Sequence, residues 1–66
     1  MSASSWVHLD VEVIKAETDM AFLLVIDGDE YWIPKSQISD PEIYAVDDED
    51  VTVSVTEYIA NQKGLE

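Results

Sequence analysis

Residues 20–34 read MAFLLVIDGDEYWIP, and the fold turns on how this stretch is divided. Met20–Ile26 is apolar at every position but gives no helical spacing. A strand apolar on both sides is central in its sheet or covered on its second face. Asp27-Gly28 follows between two apolar runs, the strongest short-range hairpin signal, because glycine takes the positive φ of a primed turn at no steric cost. Glu30–Pro34 returns as the next strand, and Pro34 ends it by removing a ladder donor. A two-residue loop pairs Ile26 with Asp29, Leu24 with Tyr31 and Phe22 with Ile33.

Upstream, WVHLDVEVIKA (6–16) alternates. Val7, Leu9, Val11 and Val13 point one way, while His8, Asp10 and Glu12 point the other. That period of two marks a half-buried strand. The phase blurs at Ile14, as at a bulge or the approach to a turn, and ETD (17–19) makes the turn. With a short first turn, Val11 and Val13 face Ile26 and Leu24. The expected core face is therefore Val7, Leu9, Val11, Val13, Phe22, Leu24, Ile26, Tyr31 and Ile33. Ile14, Leu23, Val25 and Trp32 form a second patch that needs a cover.

Downstream, PKSQI (34–38) reads as one tight turn. Ser39 or Asp40 caps another, with Pro41 in its first turn, where a missing N–H is harmless. Residues 40–50 form an acidic loop. VTVSV (51–55) alternates again, valines in and Thr52 and Ser54 out. Residues 56–63 make a short helix with Thr56 as cap, Lys63 in the last turn and Gly64 as stop. It is too short to stand alone and must pack, with the Trp32 patch as one place for it. The expected fold is mainly β: a small antiparallel bent sheet or partly open barrel of four to five strands, with a short C-terminal helix. An OB-like barrel is the topological alternative. The 66 residues make one domain, with 1–5 flexible and no structural weight on Leu65-Glu66.

Composition narrows the function. With no cysteine, neither a disulfide nor a thiolate zinc site can staple the chain. Fifteen acidic residues face three basic ones, a net charge of −12. Such a field repels a phosphate backbone and an anionic membrane surface, and attracts a basic protein with a fast, salt-sensitive on-rate. No run reaches the ~18–20 apolar residues of a membrane span, and MSASSW has neither the basic nor the apolar region of a signal peptide, so the cytoplasm is the expected compartment.

Individual residues offer little chemistry. Tyr31 and Trp32 are strand neighbours facing opposite ways and cannot share one stacking platform. Tyr31 belongs to the core; Trp32 is either covered by the helix, the favoured reading, or an exposed anchor, and Trp6 is either exposed or turned toward a second copy. DGDE (27–30) lacks the ligand spacing and helical flanks of a calcium loop. DDED (47–50) is contiguous carboxylate without a shaped loop and reads as solvated. His8 sits beside acids on a polar strand face, Ser36 has no base near it in sequence, and no phosphate-binding glycine loop is present. The chain is therefore read as non-catalytic, with no cofactor and no metal. Lys35 is expected to brace its turn by pairing with an acid such as Asp40, or to contact an anionic ligand.

IDGDEYWIPKSQI (26–38), followed by VDDEDVTVSVTEYIANQKGL (46–65), resembles a set of small uncharacterised proteins carried by bacteriophages, prophages and related mobile elements. Their pattern is similar to an ID-G-x-E-x-W-I-P-K-S-Q-I core, an acidic turn and a T-E-W-I-type ending with K-G-L. The chain departs from it at Val46-Asp47-Asp48, where a glycine is usual, and at Tyr58, where tryptophan is. The resemblance implies a mobile-element origin, residence in the host cytoplasm, no catalytic role, and a Leu65 that is part of the pattern. It brings no site residues. YWIPKSQI also looks like the corner before the last strand of Src-homology-type small barrels, although the acidic insertion at 40–50 departs from them.

The function expected is that of a phage-type accessory protein acting by protein–protein binding. Its sharpest form is an acidic nucleic-acid mimic that occupies the basic groove of a host nucleic-acid-handling or defence protein. Asp40, Glu42, Asp47, Asp48, Glu49 and Asp50 would carry it, with solubility as the plain alternative for the charge. A small-ligand or single-stranded nucleic-acid site at Trp6, Trp32 and Lys35 is the second reading. A structural homo-oligomer, such as a homodimer burying Trp6, Leu23, Val25 and Trp32, is the third.

Overall fold

The computed structural model describes residues 5–65. It holds one open antiparallel sheet of four strands: β1 (Trp6–Glu17), β2 (Ala21–Ile26), β3 (Asp29–Pro34) and β4 (Glu49–Thr56), ordered β3-β2-β1-β4. A seven-residue helix, α1 (Glu57–Lys63), ends the fold, and two 3₁₀ turns, Lys35–Gln37 and Pro41–Ile43, lie in the β3–β4 connection. Residues 1–4, most of the segment expected to be flexible, and Glu66 lie outside the described residues. Ser5 is tied down: its carbonyl accepts the Glu57 N–H at 3.2 Å.

The β2–β3 hairpin follows from its sequence. Asp27 (φ 52°) and Gly28 (φ 80°) both take positive φ, the signature of a type I′ turn. The ladder pairs Ile26 with Asp29, Leu24 with Tyr31 and Phe22 with Ile33, as their parity requires.

β1 departs from its apparent phase. Leu9, Val11 and Ile14 are buried, Ile14 completely, whereas Val13 is only half-buried and lies outside the core cluster. Val13 pairs with Val25, and Ile14 pairs with Leu24. The expected placement of Val13 in the core and Ile14 outside is thus reversed. The cause is a shift of face between Val11 and Ile14, where the strand changes partners. Residues 6–13 pair with β4, while residues 13–17 pair with β2 and carry a further irregularity at Lys15. Opposite this shift, Asp50 adopts φ 52° in β4. Irregularities of this kind bend a strand and re-aim its side chains.

The bend is large. Ile33 stands in line with Phe22 and Glu17, and Ile38 bridges Val55, which stands opposite Val7. A straight β1 would separate Val7 from Glu17 by about 33 Å, yet the chain from Ile33 to Ile38 spans at most about 18 Å. The sheet must therefore fold over so that the ends of β3 and β4 approach. Its concave face holds the core of Leu9, Val11, Ile14, Phe22, Leu24, Ile26, Ile33, Ile38, Val53 and Val55, with Val7, Tyr31, Tyr44 and Val51 packed beside it. Each large fully buried side chain contributes about 1.5–3 kcal/mol.

α1 closes this concave face. Ile59 and Ala60 join the core, so the helix does not cover Trp32, which lies on the opposite face and is 45% exposed. On the outer face Leu23 is already buried beside its ladder neighbours Ala16 and Trp32. The Thr56 hydroxyl accepts the Ile59 N–H at 3.3 Å and donates to Gln37 Oε1 at 2.5 Å, joining helix cap and first 3₁₀ turn. Gly64 (φ 70°) stops the helix, and Leu65 donates its N–H to Ala60 at 2.8 Å while packing on the core. Leu65 thus carries structural weight that its terminal position did not suggest.

Candidate functional site

The residues singled out in the sequence fall into two groups on different parts of the molecule. The first is acidic. The β3–β4 connection runs back along the outer edge of β4, held by Ser39 N–H to Ser54 C=O (2.9 Å) and Tyr44 Oη to Thr52 C=O (3.1 Å). It enters β4 beside the β1 bend, where the Asp47 N–H donates to Ile14 C=O (2.7 Å) and the Ile14 N–H to Asp48 C=O (2.9 Å). Asp40, Glu42, Asp47, Glu49 and Asp50 are exposed on this course. Asp48 is half-buried and accepts the Ala45 N–H on Oδ2 at 3.0 Å.

Three of these acids also have a backbone reason to be aspartate. Asp40, Asp47 and Asp50 all adopt left-handed φ, at 51°, 77° and 52°, a region that aspartate and asparagine tolerate better than most non-glycine residues. Asp40 heads the second 3₁₀ turn by position, and its side chain makes no capping hydrogen bond.

The ladder adds two acids, Asp10 and Glu12, which by sequence alone lie on a polar strand face. Asp10 stands opposite Thr52, and Asp10, Val11, Glu12, Asp50, Val51 and Thr52 line an open groove of about 210 Å³. The signal that would have found them is the β1–β4 register, which joins residues about forty apart in sequence. Next to the groove, His8 Nδ1 lies 2.7 Å from the Ser54 hydroxyl at the surface. Among the described residues no group of three or more His, Cys, Asp or Glu is arranged to hold a metal ion.

The second group is Trp6, Trp32 and Lys35, and the fold does not assemble it. Trp6 pairs with Thr56 at the start of β1, at the other end of that strand from Ala16, which stands in line with Leu23 and Trp32. Both tryptophans are 45% exposed. Lys35 lies on the other face from Trp32. Its ammonium pairs with Glu17 at 2.5 Å, not with Asp40, and sits 4.8 Å from the centre of the Phe22 ring. Glu17 and Phe22 are ladder partners, so the bent sheet presents carboxylate and ring together. Lys15, at the β1 irregularity, reaches over β2 to pair with Glu30 on β3. Both lysines are thus neutralised on the β2–β3 side, and the third, Lys63, ends α1.

Comparison with protein-family models, with curated proteins and with solved structures returns no significant match for this chain. No helix among the described residues is long and apolar enough to cross a membrane.

Proposed function

We propose that this protein is a non-catalytic binding module whose partner is a basic protein, engaged through the acidic surface built by residues 40–50 and the adjoining β1–β4 groove. The observation that carries the reading is the concentration of acids along residues 40–50 and the β1–β4 ladder. Two of three lysines are spent in ion pairs on the β2–β3 side. Asp10, Glu12, Asp40, Glu42, Asp47, Asp48, Glu49 and Asp50 belong to the other side, the connection and the β1–β4 ladder. Eight of the chain's fifteen acids lie there, against five acids (Glu17, Asp19, Asp27, Asp29 and Glu30) and two lysines on the β2–β3 side, and a net charge of −12 speeds encounter with a basic surface and rejects acidic ones. Exposed carboxylates are the groups with which a protein imitates the charge of a phosphate backbone. An acidic mimic occupying the groove of a nucleic-acid-handling protein, carried by a phage or related element, is the sharpest form of the proposal.

The single-stranded nucleic-acid alternative loses its support in Lys35, whose charge is engaged by Glu17 and Phe22. The test is a six-fold amide variant: Asp40→Asn, Glu42→Gln, Asp47→Asn, Asp48→Asn, Glu49→Gln and Asp50→Asn. Asparagine tolerates left-handed φ at 40, 47 and 50, and its side-chain oxygen can still accept the Ala45 N–H at 48, so the fold should persist. Binding to a basic partner should fall at least tenfold; unaltered affinity sinks the proposal.

A further inference from the structure

The sheet has two outer strands, and only one is covered. The outer edge of β4 is covered by the Ile38–Val55 bridge and by hydrogen bonds from Ser39 and Tyr44. Among the described residues nothing pairs with the outer edge of β3.

The phase of the ladder identifies the groups left open. A two-residue primed turn makes Ile26 and Asp29 a hydrogen-bonded pair, and bonded pairs recur at every second residue. The Lys35 N–H to Met20 C=O bond, 2.7 Å at the far end of the hairpin, keeps the same phase. Asp29, Tyr31 and Ile33 therefore spend their backbone groups on β2. Glu30 and Trp32 direct N–H and C=O outward, as Pro34 does its C=O. Natural edge strands are usually blunted by charge, proline, a bulge or a cover; β3 has acidic charge and a terminal proline but neither bulge nor cover among the described residues. Here the last outward N–H is followed by a proline, and the side chains beside the open groups are a carboxylate and a 45% exposed tryptophan.

We infer that β3 is a docking edge at which an extended basic segment of the partner adds as an antiparallel strand, an inference that rests on the proposed basic partner and specifies how it is held. Main-chain bonds supply affinity in such strand addition, and alternate side chains supply specificity. Paired antiparallel to β3, the incoming residue opposite Trp32 lies on the same outer face as the indole and takes an aliphatic side chain or arginine. The residue two places later stands opposite Glu30 and takes arginine or lysine, which displaces Lys15 from its exposed ion pair with that carboxylate, a pair that contributes little on its own. Beyond it the segment runs past Asp29 and Asp27, both exposed, and stays basic. The recognised pattern is thus apolar, any residue, basic, basic. A second copy of this chain fits the edge less well, since each carries a net charge of −12.

The experiment titrates the full ¹⁵N-labelled chain with the capped octapeptide Thr-Val-Thr-Leu-Thr-Arg-Lys-Thr. The same peptide, N-methylated at its leucine and arginine amides, serves as the control. Methylation removes the two donors that must face β3 and leaves every charge in place. The expected result is slowed exchange of the Glu30 and Trp32 amides and an affinity at least tenfold lower for the methylated peptide. Equal affinity for both peptides, with shifts confined to residues 40–50, overturns strand addition but leaves the acidic-surface reading standing. No binding of either peptide overturns strand addition; acidic-surface binding is judged separately, by the six-amide variant. Protection of Glu30 and Trp32 that grows with protein concentration in the absence of peptide makes a second copy the occupant and overturns the inference.

Discussion

The shift of face in β1 yields the sharpest stability prediction. Continuing the alternation of Val7, Leu9 and Val11 would put Val13 in the core and Ile14 outside, whereas Ile14 is fully buried and Val13 half-buried on the outer face. Ile14→Val and Val13→Thr separate the two arrangements. Removing one methylene from a packed core costs about 0.5–1.5 kcal/mol. Threonine is a good strand residue on a wetted face and should cost under about 0.5 kcal/mol at position 13. In the reversed arrangement a buried hydroxyl at 13 would cost about 1–3 kcal/mol and Ile14→Val almost nothing. A chain of this size holds only about 3–10 kcal/mol in total, so the difference is measurable. Urea denaturation followed by far-ultraviolet circular dichroism suffices. With a slope near ~1 kcal/mol per molar, Ile14→Val should lower the midpoint by about 0.5–1.5 M and Val13→Thr by under about 0.5 M. A larger loss for Val13→Thr than for Ile14→Val would refute the shift of face.

Three further outcomes follow from the geometry. Gly28→Ala places a Cβ at φ 80° and should cost about 1–2 kcal/mol with no change in the far-ultraviolet spectrum. Thr56→Ala removes both the helix cap and the bond to Gln37 and should cost about 1–2 kcal/mol; Thr56→Ser, which keeps both, should recover most of it in thermal melts. Salt should stabilise the protein, because raising it from about 0.01 M to about 1 M shortens the screening length from about 30 Å to about 3 Å. The melting temperature should then rise by about 4–8 °C for each kcal/mol of self-repulsion relieved, and a melting temperature that falls with salt would contradict the charge argument.

What could be read from the sequence was what is encoded locally. The hairpin parity, the Pro34 stop, the two tight turns that follow it, the alternation of β4 and the Thr56 and Gly64 helix signals all depend on residues a few places apart, and all are present, the turns as short 3₁₀ segments. What escaped depends on distant pairing. Ile14 is buried because β1 shifts face between Val11 and Ile14, opposite the left-handed Asp50. Lys35 meets Glu17 because the bent sheet sets Glu17 beside Phe22. α1 found the concave face, where Ile38, Val53 and Val55 await Ile59, and left Trp32 open. The acids of the candidate site were visible as a run, but Asp10 and Glu12 joined them only through the β1–β4 register. Nor did composition reveal that Asp40, Asp47 and Asp50 hold left-handed backbone as well as charge.

The most direct test of the binding account captures partners from a bacterial lysate on the immobilised protein. Wild type and the six-amide variant are run side by side, washed at low and then high salt, and the eluates identified by mass spectrometry. The account predicts a basic nucleic-acid-handling protein held by wild type at low salt, released by high salt and lost with the variant. Retention of the same proteins by both forms, or no specific retention by wild type, would contradict it and reduce the acidic surface to a means of staying dissolved.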